Sequence, residues 1–416
     1  MAQIDPPSTA SQVPIDPPLR RILAGFSWIT IGLGITMTVS YGALFYSFAI
    51  LAPAIQEDFG WTRSFLFGTF SAAILSGAVL APFVGRMLDR HGGRLVLICG
   101  TVLSSVAVLA LSRASMPTTF LAALIATQAA ASATLYEAGF ATLTQIHGRA
   151  ARAPISAVTL IAGFSSTLFW PLCGFLLTHF TWREVYLWLA VINLAICLPI
   201  HWALPRKRAT DGVAVADAGA PGIAPDCNAR MIAFAAMAVA FAANGFAISA
   251  VQAHFPRLFV ENGFTVAAAA GFGALIGPSQ VAARIAEILF GHSRHPVVVG
   301  LAASAVLVVG IAFLFAIGLG ATAAVAFALF FGAGQGLAYI VRGAIPLAIF
   351  GEQGYGALTG KLHSVRIVAA AAAPVAVALA SDHFGNSAAI AVVVAVAAVG
   401  VAALLPLLPY RSSRWQ

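Results

Sequence analysis

Twelve stretches of this chain are apolar over about 20 residues, the length a helix needs to cross roughly 30 Å of hydrocarbon. They run approximately over 27–53, 64–85, 94–112, 118–144, 154–178, 184–204, 230–254, 265–290, 297–319, 322–349, 356–380 and 387–408. Turn-forming or polar residues separate them, as in Glu57-Asp58-Phe59-Gly60-Trp61, Ser115-Met116-Pro117 and Asp382-His383-Phe384-Gly385-Asn386. Only 9% of the 416 residues are charged and 60% are hydrophobic, whereas a soluble domain carries about 25% charge. That is too little to cover a water-facing surface, and no stretch is long and polar enough to be a soluble domain on an anchor. The chain reads as an all-α polytopic membrane protein with 12 transmembrane helices.

The basic residues orient it. With the N-terminus inside, Arg20, Arg21, Arg86, Arg90, Arg94, Arg149, Arg152, Arg206, Lys207, Arg208, Arg230, Arg294, Arg411 and Arg414 are cytoplasmic, against Arg63, Arg113, Arg183 and Arg257 outside. Cytoplasmic loops retain Lys and Arg, so both termini are expected in the cytoplasm, with the spans in a bacterial-type inner membrane. The net charge of +8 follows from this bias; no basic face for nucleic acid exists. Cys99, Cys173, Cys197 and Cys227 are scattered without pairing or metal-ligand spacing and read as thiols without a role. His292 and His295 resemble a metal pair by spacing alone, so no metal or other cofactor is expected. No small-residue cleavage site follows the first apolar run, so the first helix is expected to be retained.

The longest inter-span segment divides the chain. Residues 1–26 form a cytoplasmic tail, 27–204 a first six-helix bundle, 205–229 a flexible linker, 230–408 a second bundle and 409–416 a cytoplasmic tail. The linker follows Pro205-Arg206-Lys207-Arg208 and is rich in Ala, Gly, Pro and Asp, a flexible composition. The halves are weak repeats. Aligning Gly139 of the fourth span with Gly343 of the tenth places Glu137 within one position of Arg342. Two six-helix bundles around a central site are the layout of a secondary transporter.

After the second span comes Gly85-Arg86-Met87-Leu88-Asp89-Arg90-His91-Gly92-Gly93-Arg94. This resembles the helix 2–3 loop of the major facilitator superfamily, and the resemblance covers the whole twelve-span chain. Gly85 permits a tight helix exit. Asp89 can pair with Arg90 or Arg94 and face the positive end of a neighbouring helix. The resemblance implies that this neighbour is the eleventh span, near Gly354-Tyr355-Gly356, and that the contact latches the cytoplasmic side. The matching loop of the second half, Gly291-His292-Ser293-Arg294-His295, is a degenerate copy.

Ser40-Tyr41-Gly42-Ala43-Leu44-Phe45-Tyr46-Ser47-Phe48 and Asp58-Phe59-Gly60-Trp61-Thr62-Arg63-Ser64 look like the monocarboxylate-porter and oxalate:formate-antiporter branch. Drug/proton antiporter patterns are broken at Ala126-Thr127-Gln128 and at Phe169-Trp170-Pro171-Leu172-Cys173-Gly174.

Ionisable groups inside a bilayer cost several kcal/mol, roughly, and mark function by default. The expected spans hold Glu137, Arg284, Glu287, Arg342, Lys361 and Arg366, while spans three, six, nine and twelve hold none. Those four are the lipid-facing helices of the superfamily the chain resembles. By a rise of about 1.5 Å per residue, Glu137, Arg284 and Arg342 sit deep, and Arg366 near the midplane. Lys361 is placed to snorkel and Glu287 sits at the mouth. The resemblance places basic anion-binding residues at Arg284 and Arg366, whose planar guanidinium forks suit a carboxylate. Where proton-coupled relatives carry an Asp, this chain has Gln280; where some carry a Lys in helix one, it has Phe45-Tyr46. Tyr41, Phe45 and Phe48 share one helical face as a candidate cavity wall. Asn244, Gln252 and Gln335 can bond a substrate or a neighbouring helix, and Gly273-x-x-x-Gly277 and Gly332-x-x-x-Gly336 read as close helix contacts.

The expectation is a monomeric secondary transporter of a small organic anion, a mono- or dicarboxylate, exchanging with a proton or counter-anion partner across the lipid bilayer. Arg284, Arg366, Tyr41, Phe45, Asn244 and Gln280 are its binding candidates; Glu137, Arg342, Asp89, Arg90 and Arg94 its coupling and gating candidates. An exporter of drugs or amphipathic compounds is the alternative. A membrane-embedded enzyme lacks a nucleophile–base pair, since His363 near Ser364 stands alone in the sequence. Glu137 has two open roles, proton carrier or partner of Arg342. A Glu137→Gln variant separates them: loss of the dependence of transport on external pH marks the carrier, and full retention sinks that role.

Overall fold

The computed structural model describes residues 26–206, 227–291 and 294–412. Most of the expected N-terminal tail and linker, His292, and the last four residues lie outside them. The described chain is helical throughout. α1 (Trp28–Tyr41) continues through a π turn (Gly42–Tyr46) into α2 (Ser47–Phe59). Then follow α3 (Arg63–His91), α4 (Gly93–Ser112), α5 (Pro117–Ala131), α6 (Tyr136–His147), α7 (Arg152–Ala162), α8 (Ser165–Leu177) and α9 (Trp182–Ala203). The second set is α10 (Cys227–Glu261), α11 (Val266–Ala286), α12 (Pro296–Ala312), α13 (Ala321–Phe350), α14 (Tyr355–Phe384) and α15 (Asn386–Leu404). Among the described residues, eleven rods are long and apolar enough to cross a membrane. The eighth expected span is helical too, as α11 continued by a π turn over Glu287–Gly291.

Local chemistry sets the ends. Thr62 and Thr265 accept the N–H groups of Phe65 and Ala268, and Thr181 forms a capping box with Glu184, which satisfies donors the first helical turn leaves free. Two expected spans are not continuous. The fourth breaks at residues 132–135 between α5 and α6, and the fifth at residues 163–164 between α7 and α8.

The helices of the third, sixth, ninth and twelfth expected spans, charged only at their ends where charged at all (Arg94; Arg183 and Glu184), present apolar side chains outward: Leu103 and Val106 on α4, Trp188 and Val191 on α9, Val309 on α12, Val399 on α15. Such continuous apolar surface suits lipid rather than water. Each set packs on itself, α4 on α5 and α9, α12 on α13 and α15, while α3 against α14 is the broadest contact between sets. Asn193 stitches the first set by bonding Ser40, Ser104 and Ser105. At one end the sets keep separate apolar cores. At the other, the Arg-rich end, Leu88, Phe140 and Ile155 share a core with Leu347 and Tyr355.

Two polar latches close that Arg-rich end. In the first, the Asp89 carboxylate accepts the backbone N–H groups of Gly356 (2.9 Å) and Ala357 (2.7 Å) at the start of α14, where the helix dipole favours a negative charge. Glycine makes the approach feasible, because a Cβ on Gly85 or Gly360 would collide with the backbone of Gly356 or Ala81. In the second, Arg152 at the start of α7 donates to Glu287 Oε1 (2.9 Å) and to the carbonyls of Gly291 (2.8 Å) and Arg294. Ser156 donates to the other Glu287 oxygen at 3.0 Å. The side chains of Arg152 and Glu287 are 5% and 2% exposed. The sequence placed Arg152 among the cytoplasmic residues and Glu287 at the mouth; the structure buries both against each other. Beside them, burial and the Arg152 guanidinium push His295 down to about 4, so the neutral ring accepts the Val297 N–H.

Breaking one member of a buried ion pair costs about 3–5 kcal/mol, whereas replacing both by apolar groups is near neutral. Arg152→Met is therefore expected to lower the thermal unfolding midpoint in detergent sharply, and adding Glu287→Leu to restore most of it. An unchanged midpoint for the single variant would remove the latch from the account.

Candidate functional site

Between the two sets lies a cavity of about 280 Å³. Its walls come from α1 and the π turn (Tyr41, Phe45, Tyr46), α3 (Ser71, Ile74), the α5–α6 break (Ser132, Leu135, Glu137), α10 (Asn244, Gly245, Gln252), α13 (Tyr339, Arg342) and α14 (His363, Arg366).

Local breaks in helix geometry aim these groups. A π turn bonds i to i+5, which brings Tyr46 into the wall with Tyr41 and Phe45. Gly42 within it admits the Phe169 ring, which a Cβ would strike. Phe48, expected on the same face, is instead buried and stacked on Phe70 at 4.0 Å. The break before α6 puts Glu137 in a first helical turn, where the backbone favours a carboxylate. Gly245 leaves room for the Arg366 stem to lie along α10.

A charge cluster forms the end of the cavity nearest the latches. Glu137 Oε1 is 3.6 Å from Arg342 Nη1 and 2.5 Å from His363 Nδ1. Arg366 Nη2 reaches the same His363 nitrogen at 3.2 Å. The Arg342 guanidinium also lies over the Tyr339 ring at 4.4 Å and the Tyr136 ring at 5.9 Å. Arg342 Nη2 and Arg366 Nε are buried with no hydrogen-bond partner.

Of the residues singled out from sequence, the fold thus gathers Tyr41, Phe45, Asn244, Glu137, Arg342 and Arg366 around one space. The Asn244 amide donates to Ser304 at 3.0 Å and leaves its oxygen unpartnered. Gln280 and Arg284 stand beside the cavity. Arg284 is 1% exposed and spent on acceptors: Thr159 O across the interface (2.6 Å), Gly336 O and Gln280 Oε1 (both 3.3 Å). The break after α7 makes that reach feasible, since a Cβ on Gly163 would strike the guanidinium. Gln280 also donates to Gln335 at 3.1 Å. Asp89 belongs to the latch, Arg94 lies over Trp202 at 5.6 Å, and Arg90 and Lys361 are exposed.

Sequence reasoning left His363 alone and did not single out Tyr339 or Arg152. His363 lies three residues before Arg366 and so shares its helix face. Arg152 precedes Pro154 at a helix start, where a cation opposes the dipole and must find a partner elsewhere.

The comparisons with known proteins agree on the architecture. A family model of the Major Facilitator Superfamily matches residues 33–288, more than half the chain. The human organic anion transporter MFSD10 (TETRAN) superposes with a TM-score of 0.70 at 16% identity, over 94% of this chain and 100% of that one. FucP of E. coli, in its outward conformation, gives 0.70 at 16% identity over 92% and 99%. The proton:xylose symporter XylE gives 0.70 at 11% identity over 94% and 96%. At these identities the likeness is one of fold. No curated protein matches the chain. On the family match and the helical fold, this multi-pass membrane protein belongs to the Major Facilitator Superfamily and is a transporter of small molecules, not an enzyme.

Proposed function

We propose that this transporter moves a small organic anion, a mono- or dicarboxylate, by alternating access, driven by protons or by exchange against a second anion. The observation that carries the reading is Arg366. Its guanidinium lines the cavity and has no carboxylate partner among the described residues. Glu137 is already shared between Arg342 and His363. A guanidinium stays charged at any relevant pH, and its fork matches a carboxylate. An unpaired one in a dry site is costly, and an anionic substrate supplies what the protein withholds. A neutral sugar or amphipathic drug would not.

The latches support an outward-facing state. The Arg-rich end is the cytoplasmic one on the positive-inside reading, in an inner membrane with both termini in the cytoplasm. Arg284 enters as a second basic group, released when α7 and Thr159 move away. Tyr41, Phe45 and Asn244 then form the wall against which the body of the anion rests, with Gln280 beside Arg284. The resemblance of the first span and its loop to the monocarboxylate and oxalate branch points the same way.

The test is uptake of labelled lactate, oxalate and succinate into proteoliposomes, with and without a pH gradient, by wild type, Arg366→Gln and Arg366→Lys. Losing a hydrogen bond to a charged group costs about 1.5–3 kcal/mol, so Arg366→Gln is expected to cut uptake of the favoured anion about tenfold or more. Arg366→Lys should keep part of it. Full uptake by Arg366→Gln would end the anion assignment.

A further inference from the structure

Resting on the anion reading, the geometry points to His363 as the carrier of the coupling proton and to Glu137 as the group that positions it, which makes the transport proton-coupled. Nδ1 of His363 is 2.5 Å from Glu137 Oε1 and 3.2 Å from Arg366 Nη2. A guanidinium nitrogen only donates, an ionised carboxylate only accepts, and an imidazole nitrogen is either donor or acceptor. Nδ1 therefore serves one neighbour at a time. The Glu137 contact is the shorter and the charge-assisted one, so Nδ1 carries hydrogen and donates to Glu137.

Two consequences follow from that assignment. The lone pair of the neutral ring is on Nε2, on a side chain that lines the cavity. Arg366, facing an N–H instead of an acceptor, has neither Nη2 nor its buried Nε satisfied at this corner. The same hydrogen that fixes the tautomer leaves the anion anchor unspent. A carboxylate that orients a histidine through its other nitrogen is a recurrent second-layer device.

Proton loading is then simple to write. A proton from cavity water forms an N–H bond at Nε2, and the ring becomes an imidazolium that still holds Glu137 through Nδ1–H. The cluster goes from two cations against one carboxylate to three. That extra charge raises the affinity for an anion at Arg366, and by reciprocity the bound anion raises the hold on the proton by the same factor. On release the proton returns from Nε2 to water on the opposite side, and the ring is neutral again.

The surroundings are consistent with one mobile proton. The charged neighbours are Glu137 from α6, Arg342 from α13 and Arg366 from α14, and the phenols around the cluster are those of Tyr41, Tyr46, Tyr136, Tyr339 and Tyr355. From α10 the cavity receives Phe241, Asn244 and Gly245, which do not titrate, and Arg86, Asp89 and Arg90 of α3 lie toward the latch. A second void of about 10 Å³, bounded by His363, Arg366, Thr359 and Phe140, has room for about one water. It adjoins the cluster and offers the proton a way on.

The experiment uses the full chain in proteoliposomes with labelled lactate, oxalate and succinate. It compares accumulation driven by an acid-outside gradient with anion counterflow at equal pH. Wild type should take up a proton with each anion, read by an internal pH dye. His363→Asn keeps an N–H for Glu137 but has no basic nitrogen. It should lose gradient-driven accumulation about tenfold or more while counterflow persists. Glu137→Gln should keep part of its pH dependence. Gradient-driven accumulation by His363→Asn at the wild-type level overturns the assignment, as does wild-type anion uptake without proton uptake. Either result leaves the anion reading standing as long as Arg366→Gln still abolishes uptake; loss of that dependence would instead strike the anion reading itself.

Discussion

A charge removed from water must find a partner, and the ion pairs and latches of this molecule are arranged around that constraint. Arg152 and Glu287 answer it by pairing with each other. Arg284 answers it with carbonyl and amide oxygens. Glu137 answers it twice over, with Arg342 and His363. Arg366 has no carboxylate partner among the described residues, and it lines the cavity. Where the protein satisfies its buried charges it is closed and structural. Where it does not, it is open to a ligand.

The helices deliver these groups by departing from ideal geometry. The π turn of residues 42–46 adds an aromatic ring to the cavity wall, the break at residues 132–135 presents Glu137, and the break at residues 163–164 lets Arg284 cross to the other half. Regular helices would bury the same side chains along continuous faces. Interruptions of the backbone ladder inside a membrane are tolerated where they line a cavity or are covered by protein, and these do both.

That explains what was legible in the sequence. Hydropathy is a one-dimensional property, so the spans could be read, and the absence of charge from the helix interiors around Leu103, Trp188 and Val399 marked the outward faces. Asp89 could be read because its loop carries a short, spaced motif. The repeat alignment put Glu137 and Arg342 at nearly matching positions of the two halves, and the structure sets them 3.6 Å apart. Rotation about a helix axis was not legible. It decides that Arg284 turns into α7 while Arg366 turns into the cavity, although both are deep arginines. Helix breaks were also hidden, because Ser132 to Leu135 and Gly163-Phe164 are as apolar as their flanks. Arg152 was lost for a related reason: at the end of an apolar run, a buried cation and a solvated one look alike.

Beside the apolar core that the two sets share at the Arg-rich end, the two latches there are made of groups that water can serve nearly as well as the protein does. When the halves part there, the Asp89 carboxylate, the N–H groups of Gly356 and Ala357, Arg152 and Glu287 become hydrated instead of orphaned. Opening exchanges one set of hydrogen bonds for another. A seal of interlocked leucines would instead expose apolar surface at about 25 cal/mol per Å², with nothing in return. Hydratable latches lower the cost of parting the halves, so a substrate that prefers one state by a few kcal/mol, roughly, has less to overcome. The apolar core and the polar latches thus divide the work: one excludes water while the halves are together, the other lets water take the protein's place when they part.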